Sequence, residues 1–182
     1  METILVLDFG GQYNQLIARR VRECNVYCEV KPCSISPAEI EKIAPIGIIL
    51  SGGPQSVYES VSPHVDPALF ALGIPVLGIC YGCQLMAYSL GGTVAAATEA
   101  TAREYGKTLT EFDTDCSIFQ LLPASSVTWM SHGDYISQVP DGFAVTAKTA
   151  VCPTAAMACP EKKLYGVQFH PEVQHTLEGS EM

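Results

Sequence analysis

The sequence predicts an α/β protein with a mostly parallel central sheet, helices on both faces and antiparallel strands at the sheet edge. The first half alternates short apolar runs with segments of helical spacing, in the order strand, helix, strand, helix, strand. Strands that are joined by helices in this way lie parallel in one sheet. The second half contains strand candidates without long helices between them, which indicates antiparallel pairing. At 182 residues, the chain is long enough for one domain, residues 1–182, with a substantial core.

The first half supplies strands and helices in turn. Residues 3–7 are a continuous apolar run, which is typical of a central parallel strand, and residues 16–22 then repeat apolar side chains at helical spacing. Ser36 is the predicted N-cap of the second helix, with Pro37 at the first helical position and Glu39 closing a capping box. Two further strands are predicted at residues 26–30 and 46–50.

A strand, a sharp turn and a helix follow around a single cysteine. Residues 74–79 form an apolar run, the pattern Gly78-x-Cys80-x-Gly82 breaks it, and residues 84–90 continue with helical spacing. This arrangement predicts a nucleophile elbow with cysteine in place of serine, in which the glycines allow the two arms to approach closely. A cysteine at the start of a helix is favoured as the thiolate. A small buried cysteine without chemistry is the alternative interpretation.

A histidine and an acid near the end of the chain are the predicted partners of this thiol. His170 and Glu172 follow the apolar run at residues 164–169. If that strand and the elbow strand share a parallel sheet, His170 can serve as the base and Glu172 can orient it. Cys80, His170 and Glu172 are therefore the predicted catalytic triad.

The second half is rich in strand candidates. They are predicted at residues 93–97, 105–109, 127–130, 143–147 and 154–158. Only a short helix, near residues 66–72, precedes the elbow strand. We expect these later strands to extend the sheet at its edge within the same domain.

Two polar turns follow predicted strands and are expected beside Cys80, since sites in open α/β sheets form beyond the carboxyl ends of the strands. In the turn 51–54, the backbone N–H of Gly53 could join that of Tyr81 as an oxyanion hole. The turn 131–134 carries a second histidine, His132. Tight or polar turns without ligand contact are the alternative for both.

Composition excludes several classes of function. The net charge of −9 argues against nucleic acid as a partner, and Arg19, Arg20 and Arg22 are interpreted as the solvated face of a helix. No apolar run approaches the ~20 residues of a membrane helix, and no export signal precedes the first strand. The eight cysteines are therefore expected to remain thiols in a reducing cytoplasm, with no metal site.

Two other chemistries compete for the same residues. Cys80 and Cys83 form a C-x-x-C pair, which in an α/β protein can be a redox site if Cys83 is exposed beside Cys80. A zinc deaminase would need its histidine ahead of the cysteines and a proline before the first, and the order here is reversed. No phosphate-binding glycine loop is present, which argues against an ATP site of that kind.

The elbow Gly78-x-Cys80-x-Gly82-x-Gln84 and the motif 169–172 together resemble the class I, or triad, glutamine amidotransferases. The resemblance covers essentially the whole chain. Within that class it is closest to the glutaminase domains of GMP synthetases. That closer resemblance rests on residues 7–13, 17–23, 50–54, 103–106 and 130–134.

The resemblance implies a three-layer, flavodoxin-like fold and a role for each motif residue. Cys80 would attack the side-chain amide of glutamine, Gly53 and Tyr81 would hold the oxyanion, and His170 with Glu172 would manage the protons. The residues implied in substrate binding are Gly52, Gln84, Ser131, His132, Gly133 and Asp134. Ammonia would leave for a synthetase.

The sequence departs from the family pattern in three ways. Cys83 stands where methionine is usual, Gly11 stands where serine is common, and the ATP-pyrophosphatase domain that aminates XMP is absent. The chain is therefore expected to be either an excised domain or a separate glutaminase subunit, without a cofactor of its own, and ATP and Mg²⁺ belong to the synthetase partner. The glutaminase of another ammonia-using synthase and a partner-binding module remain alternatives.

Overall fold

A computed structural model of the chain describes residues 2–98 and 103–182. Within these residues the α-helices are α1 (Asn14–Glu23), α2 (Pro37–Ile43) and α3 (Tyr81–Ser89). The strands are β1 (Thr3–Asp8), β2 (Tyr27–Pro32), β3 (Gly47–Leu50), β4 (Val76–Ile79), β5 (Thr93–Ala96), β6 (Glu104–Phe112), β7 (Ser125–His132), β8 (Asp134–Gln138), β9 (Ala144–Lys148), β10 (Ala156–Cys159) and β11 (Leu164–Val167). The short helix predicted before β4 is a 3-10 helix, Pro67–Ala71.

Nine strands form one mixed sheet, in the order β2-β1-β3-β4-β11-β10-β9-β6-β7. The pairs from β2 to β11 are parallel, and those from β11 to β7 are antiparallel. The order of the strands reverses at β1, which lies between β2 and β3. Ligand sites of such sheets lie beyond the carboxyl ends of the parallel strands. The predicted sheet, parallel at its centre with antiparallel additions, is confirmed.

Helices pack on both faces of the sheet because the strands are apolar on both. Leu5 and Leu7 of β1 are buried in a core that also contains side chains of α2 and α3. Val6, between them, points to the opposite core, which contains side chains of α1. Alternate residues of a strand face opposite sides of a sheet, so a continuous apolar run requires cover on both. The three-layer architecture follows.

The capping box predicted for α2 is present. Ser36 has an extended backbone, its side chain accepts a hydrogen bond from the N–H of Glu39, and the Glu39 carboxylate accepts one from the N–H of Ser36. Pro37 occupies the first helical position, where a missing N–H costs nothing. The start of α2 is therefore set by four consecutive residues.

Two strands do not join the large sheet. β5 and β8 pair antiparallel in a separate two-stranded sheet, so the prediction that residues 93–97 extend the sheet edge is wrong. β8 was not predicted. Only Gly133 separates it from β7, and its residues are mostly half-buried or exposed, so they lack the apolar alternation that indicates a strand.

The C-terminal segment covers the outer edge of β7. The backbone N–H groups of His170 and Leu177 donate to the carbonyls of Trp129 (3.0 Å) and Val127 (3.1 Å). The Trp129 N–H donates to Oγ1 of Thr176 at 2.9 Å. These bonds satisfy strand groups that would otherwise be free to pair with another chain, and they fix the backbone of His170 against the sheet.

Two further observations concern the chain as a whole. In the described residues, no helix has the length and apolar character that crossing a membrane requires. All eight cysteines are free thiols, and six of them, including Cys80 and Cys83, are buried.

The contact between α3 and β3 generates a stability prediction at Gly82. A Cβ added there would lie 2.4 Å from the carbonyl oxygen of Leu50. Helix propensity alone would favour alanine by about 1 kcal/mol, but we expect Gly82→Ala to lower the free energy of unfolding by about 3 kcal/mol because the clash is with strand backbone. Urea unfolding followed by circular dichroism measures the change.

Gly47→Ala is the matched control for this substitution. Its added Cβ would meet the flexible end of Ile4, at 2.9 Å from Cδ1, and no backbone atom nearer than 3.7 Å. We expect it to lose less than about 1 kcal/mol. A Gly82→Ala protein as stable as the parent would contradict the described packing of α3 on β3.

Candidate active site

Cys80 forms the turn between β4 and α3. Its backbone angles, φ 52° and ψ −107°, lie outside the regions that L-residues ordinarily occupy. A Cβ on Gly78 would lie 2.6 Å from the backbone of Gly82, so the two arms of the turn touch. This is the strand, strained turn and helix of a nucleophile elbow. Strain of this kind costs about 1–3 kcal/mol and is tolerated where the surrounding structure holds it.

The parallel pairing of β4 with β11 brings the triad residues together. The Cys80 N–H donates to the carbonyl of Val167 at 2.8 Å, which aligns the ends of the two strands. His170 lies three residues further along, and its Nδ1 is 2.7 Å from Oε1 of Glu172. Since Nδ1 faces the carboxylate, Nε2 is the nitrogen left for the Cys80 side chain. The His170 ring and Cys80 lie against the same glycine, since a Cβ on Gly52 would be 3.2 Å from Cε1 of His170 and 3.8 Å from Cβ of Cys80. All three side chains are buried.

The charge state of His170 follows from its two neighbours. Burial lowers the pKa of His170, but the hydrogen bonds and charges of Cys80 and Glu172 outweigh it and raise that pKa to about 10. At neutral pH the imidazole is therefore protonated beside the Cys80 sulfur. A cationic donor next to sulfur is the environment in which a cysteine acts as a nucleophile.

Helix α1 supports the acid of the triad from outside. Nε of Arg20 donates to the backbone carbonyl of Glu172 at 3.0 Å. The ring of Tyr13, just before the helix, meets the His170 ring edge-on with centroids 5.4 Å apart. The second carboxylate oxygen of Glu172, Oε2, is buried without a hydrogen-bond partner among the described residues.

A single cavity of about 460 Å³ joins the predicted site residues. Its volume lies in the range of small-molecule sites. The triad lines it together with all of the other candidates, Gly52, Gly53, Tyr81, Gln84, Ser131, His132, Gly133 and Asp134. The structure thus gathers into one place the residues that the sequence singled out from four separate segments.

The two candidate oxyanion donors, Gly53 and Tyr81, lie close to one another beside the cavity. The N–H of Tyr81 is the first of α3, and such an amide has no partner within its helix. Gly53 lies close to both Phe9 and Tyr81, since a Cβ there would be 2.9 Å from the Phe9 carbonyl oxygen and 3.3 Å from the Tyr81 ring. Only glycine permits this approach. Both residues line the cavity together with Cys80.

The turn after β7 is held in place by hydrogen bonds to the rest of the protein. Both ring nitrogens of His132 are occupied: Nδ1 lies 2.8 Å from the carbonyl of Asp134, and Nε2 lies 2.9 Å from Oε2 of Glu104. The Asp134 carboxylate accepts hydrogen bonds from the hydroxyls of Ser56 and Tyr58. The side chain of His132 is therefore committed to the protein, although the residue lines the cavity.

Sequence reasoning missed two buried residues of the site. Glu104 lies beneath the turn as the partner of His132, and Gln168 lies beside the Cys80 sulfur at 3.6 Å. Glu104 belongs to a motif that carried the family resemblance, and Gln168 directly precedes another, but their own chemistry gave no signal, since their partners are far away in the chain. For Gln168, a polar residue directly after the apolar run of β11 was the one clue in the sequence.

Three potential metal ligands lie together behind the turn. The ligand atoms of Glu104, His132 and Cys152 are within 4.8 Å of one another, and all three residues are buried. Each already has a partner: Glu104 and His132 pair with one another, and the Cys152 thiol donates to the carbonyl of Thr154 at 3.4 Å. Burial and the nearby Glu104 raise the pKa of the Cys152 thiol to about 12, which opposes the thiolate that a metal requires.

The redox alternative does not fit the position of Cys83. Its exposed fraction is 0%, and burial together with Cys80 and Cys152 raises the pKa of its thiol well above the usual value. The side chain fills the space beside Gly166, where an added Cβ would lie 2.6 Å from the Cys83 sulfur. A buried, protonated thiol of this kind acts as a packing residue.

Gly11, the other departure from the family pattern, lies against the second glycine turn. A Cβ at this position would be 2.4 Å from the carbonyl oxygen of Gly52. A serine here therefore requires residues 52–53 to move, and the glycine lets the two loops at the cavity rim touch.

Comparisons with known proteins agree with this geometry. The family model for glutamine amidotransferase class-I matches residues 5–182. Proteins named GMP synthase (glutamine-hydrolysing) from Clostridium botulinum strain Alaska E43 and from Caldanaerobacter subterraneus subsp. tengcongensis are 57% and 58% identical over 181 residues. The alignments cover all of this chain and 35% of either relative, so the chain spans about a third of their length.

Solved structures show the same fold. A Thermoplasma acidophilum protein, provisionally named as one subunit of a GMP synthase, is 32% identical with a TM-score of 0.85, and the match covers 100% of this chain and 89% of that one. A glutamine amidotransferase from Thermotoga maritima has a TM-score of 0.73 at 24% identity over 94% of this chain and 76% of that one.

The charge state of His170 generates a testable prediction. With ¹³C-labelled histidine, we expect one imidazole to stay protonated until the pH approaches 10. Glu172→Gln should lower that midpoint, because the carboxylate is removed while the burial that lowers the pKa stays. Since the folded pKa is raised, the stability from the pair is complete below an unfolded value of about 6.5 and is lost as pH rises through about 10.

Glu181→Gln is the control, since it removes an exposed carboxylate from the same C-terminal segment. It should leave the titration midpoint of the His170 resonance unchanged. That resonance is assigned by its loss in His170→Asn. A parent protein in which every histidine loses its proton below a pH of about 8 would contradict the described pairing.

Proposed function

The chain belongs to the class I glutamine amidotransferases, and we propose that it is the glutaminase part of a GMP synthase. It would hydrolyse glutamine to glutamate and ammonia, and a synthetase would use the ammonia to aminate XMP to GMP with ATP. The observation that carries the proposal is the elbow cysteine in one cavity with the hydrogen-bonded His170–Glu172 pair.

Acylation is the first half of the proposed reaction. The Cys80 sulfur attacks the side-chain carbonyl carbon of glutamine, and the carbonyl oxygen takes up the negative charge. The N–H groups of Gly53 and Tyr81 would stabilise that oxygen, and a donor of this type contributes about 10²–10³ in rate. The strained backbone of Cys80 supports this step, since it is the conformation of the nucleophile in a nucleophile elbow.

Release of ammonia needs a proton at the leaving nitrogen. His170 carries one because its pKa is raised to about 10. Nε2 would donate this proton to the amide nitrogen as the carbon–nitrogen bond breaks, which leaves a thioester on Cys80 and a neutral imidazole. Glu172 holds Nδ1 at 2.7 Å throughout, so that the ring stays aimed at the sulfur.

During hydrolysis of the thioester, His170 acts as a base rather than as an acid. Neutral His170 takes a proton from water, the hydroxide attacks the thioester carbon, and the carbon–sulfur bond breaks. Glutamate leaves, and the sulfur and the imidazolium return to their starting charges. Each proton in the cycle passes through Nε2 of one histidine.

We propose that the amino-acid end of glutamine lies along the glycine turn and the turn after β7. Backbone groups of Gly52, Ser131 and Gly133 line this part of the cavity. Gln84 is 4% exposed and donates to the carbonyl of Asp134. Both ring nitrogens of His132 have partners in the protein. Both residues would therefore act by holding the turn in place rather than by contacting the charged groups of glutamine.

The length of the relatives supports a synthetase partner for this site. Relatives named as GMP synthases continue well beyond the stretch that matches this chain. We propose that residues 1–182 form one amidotransferase domain, working in the cytoplasm, whose synthetase partner binds ATP and Mg²⁺. Ammonia released into water is protonated and ceases to be a nucleophile, so hydrolysis in step with a partner avoids wasted glutamine.

Labelling with a glutamine-analogue alkylating agent tests the proposed nucleophile. We expect the parent protein to release glutamate and ammonia from glutamine, and the diazoketone 6-diazo-5-oxo-norleucine to modify Cys80 alone by peptide mass mapping. Cys80→Ala should lower hydrolysis by at least about 10³-fold, because the covalent route is removed.

Exposed Cys24 serves as the internal control for non-specific alkylation, and Cys24→Ser should leave hydrolysis unchanged. A parent protein that shows neither hydrolysis nor labelling would contradict the enzyme assignment and favour a partner-binding module.

Dependence on a partner is a separate prediction. We expect glutamine hydrolysis to rise at least about tenfold when the synthetase portion of the Clostridium botulinum relative, ATP, Mg²⁺ and XMP are added, with GMP as the product. The expectation follows from the loss of free ammonia to water, which hydrolysis coupled to the synthetase would avoid.

The matched control is Cys80→Ala with the same synthetase portion. It should make GMP from added ammonium but not from glutamine. Full-rate hydrolysis by the chain alone, unchanged by the synthetase and its substrates, would contradict the coupling.

A further inference from the structure

Gln168 lies at the reacting sulfur, although the sequence assigned it no role. It follows β11 directly, its exposed fraction is 0%, and Nε2 of its side chain lies 3.6 Å from Sγ of Cys80. A fully buried polar side chain needs partners for its amide. One of those partners here is the nucleophile itself.

The orientation of this amide is set by Gln84. An amide nitrogen carries two hydrogens and accepts none. Nε2 of Gln84 donates one to the carbonyl of Asp134 at 3.0 Å and the other to Oε1 of Gln168 at 2.9 Å. With Oε1 of Gln168 occupied in this way, its Nε2 faces the sulfur. The flipped amide would set two donors against each other and an oxygen against the sulfur.

Gln84 is itself held by the buried pair beneath the turn. The Asp134 carbonyl that accepts from Gln84 is also 2.8 Å from Nδ1 of His132, whose Nε2 pairs with Glu104 at 2.9 Å. A continuous chain of hydrogen bonds therefore runs from Glu104 through His132, Asp134 and Gln84 to Gln168. Its last hydrogen bond reaches Cys80.

The surroundings of Sγ distinguish its two charge states. The carbonyl of Ser131, 3.7 Å away, can only accept, so it suits the neutral S–H. The amide N–H of Gln168 can only donate, and a donor stabilises a charged acceptor more strongly than a neutral one. The Ser131 carbonyl favours the neutral thiol and the Gln168 amide favours the thiolate. His170 accepts or returns the proton when the sulfur changes from one state to the other.

We propose that Gln168 is a further catalytic residue of this site, whose amide N–H stabilises the Cys80 sulfur while it is negatively charged. The inference rests on the proposed glutaminase function. The sulfur carries charge twice in that cycle, before it attacks glutamine and when the thioester breaks. No bond to Gln168 forms or breaks, because the amide acts only as a hydrogen-bond donor.

Alkylation of Cys80 by iodoacetamide without glutamine measures this effect directly. The pH at which the alkylation rate reaches half its maximum should rise by about one unit in Gln168→Met, which makes alkylation about tenfold slower below that pH. Thr110→Val is the control for the loss of a buried hydrogen bond, since its hydroxyl pairs with Thr128 at 2.7 Å. It should leave the profile in place.

Gln168→Glu covers the case in which Gln168→Met does not fold. It keeps the size of the side chain and the acceptor for Gln84 but replaces the N–H by a carboxyl oxygen, so alkylation should slow by at least as much. Profiles of the folded Gln168 variants that superimpose on the parent would overturn the inference. Absence of glutamine hydrolysis in the parent would instead overturn the proposed function, since alkylation does not require it.

Discussion

The parallel pairing of β4 with β11 is the constraint on which the rest of the site depends. The bond from the Cys80 N–H to the Val167 carbonyl, 2.8 Å, aligns the ends of two strands that are far apart in the chain. His170 lies three residues after Val167, where β11 ends, and the elbow begins where β4 ends. Because side chains alternate along a strand, a slip of one residue would turn the residues beyond β11 to the other face. The triad exists only in this register.

The second support comes from the edge of the sheet. Trp129 of β7 binds the backbone of His170 and the hydroxyl of Thr176, so a strand at the far edge of the sheet holds the base of the triad. The buried Glu104–His132 pair holds the turn that follows the same strand. Removing one member of such a buried pair leaves the facing atom of the other without its partner, which is costly. The antiparallel half of the sheet thus serves the site as directly as the parallel half.

Local patterns predicted most of the fold and the triad, because the elbow, the capping box at Ser36 and the alternating strands and helices are each decided by neighbouring residues. What the sequence did not reveal depends on distant partners. β8 was missed because it is half-buried and begins one residue after β7. The hydrogen bonding of the His132 ring depends on Glu104, 28 residues earlier. The position of the Gln168 side chain depends on Gln84 and Cys80. Tertiary contacts of this kind leave no periodic trace in a sequence.

The place of β11 has a consequence for the order in which the molecule can assemble. It is the last of the described strands along the chain, yet it lies between β4 and β10 in the middle of the sheet. A chain synthesised only as far as β10 has two half-sheets with open edges and a Cys80 without His170. Closing contacts of such high sequence separation are slow to form. Insertion of β11 therefore joins the two half-sheets, covers their edges and brings His170 to Cys80 in one event. In a partly synthesised chain, the Cys80 thiol lacks its catalytic base.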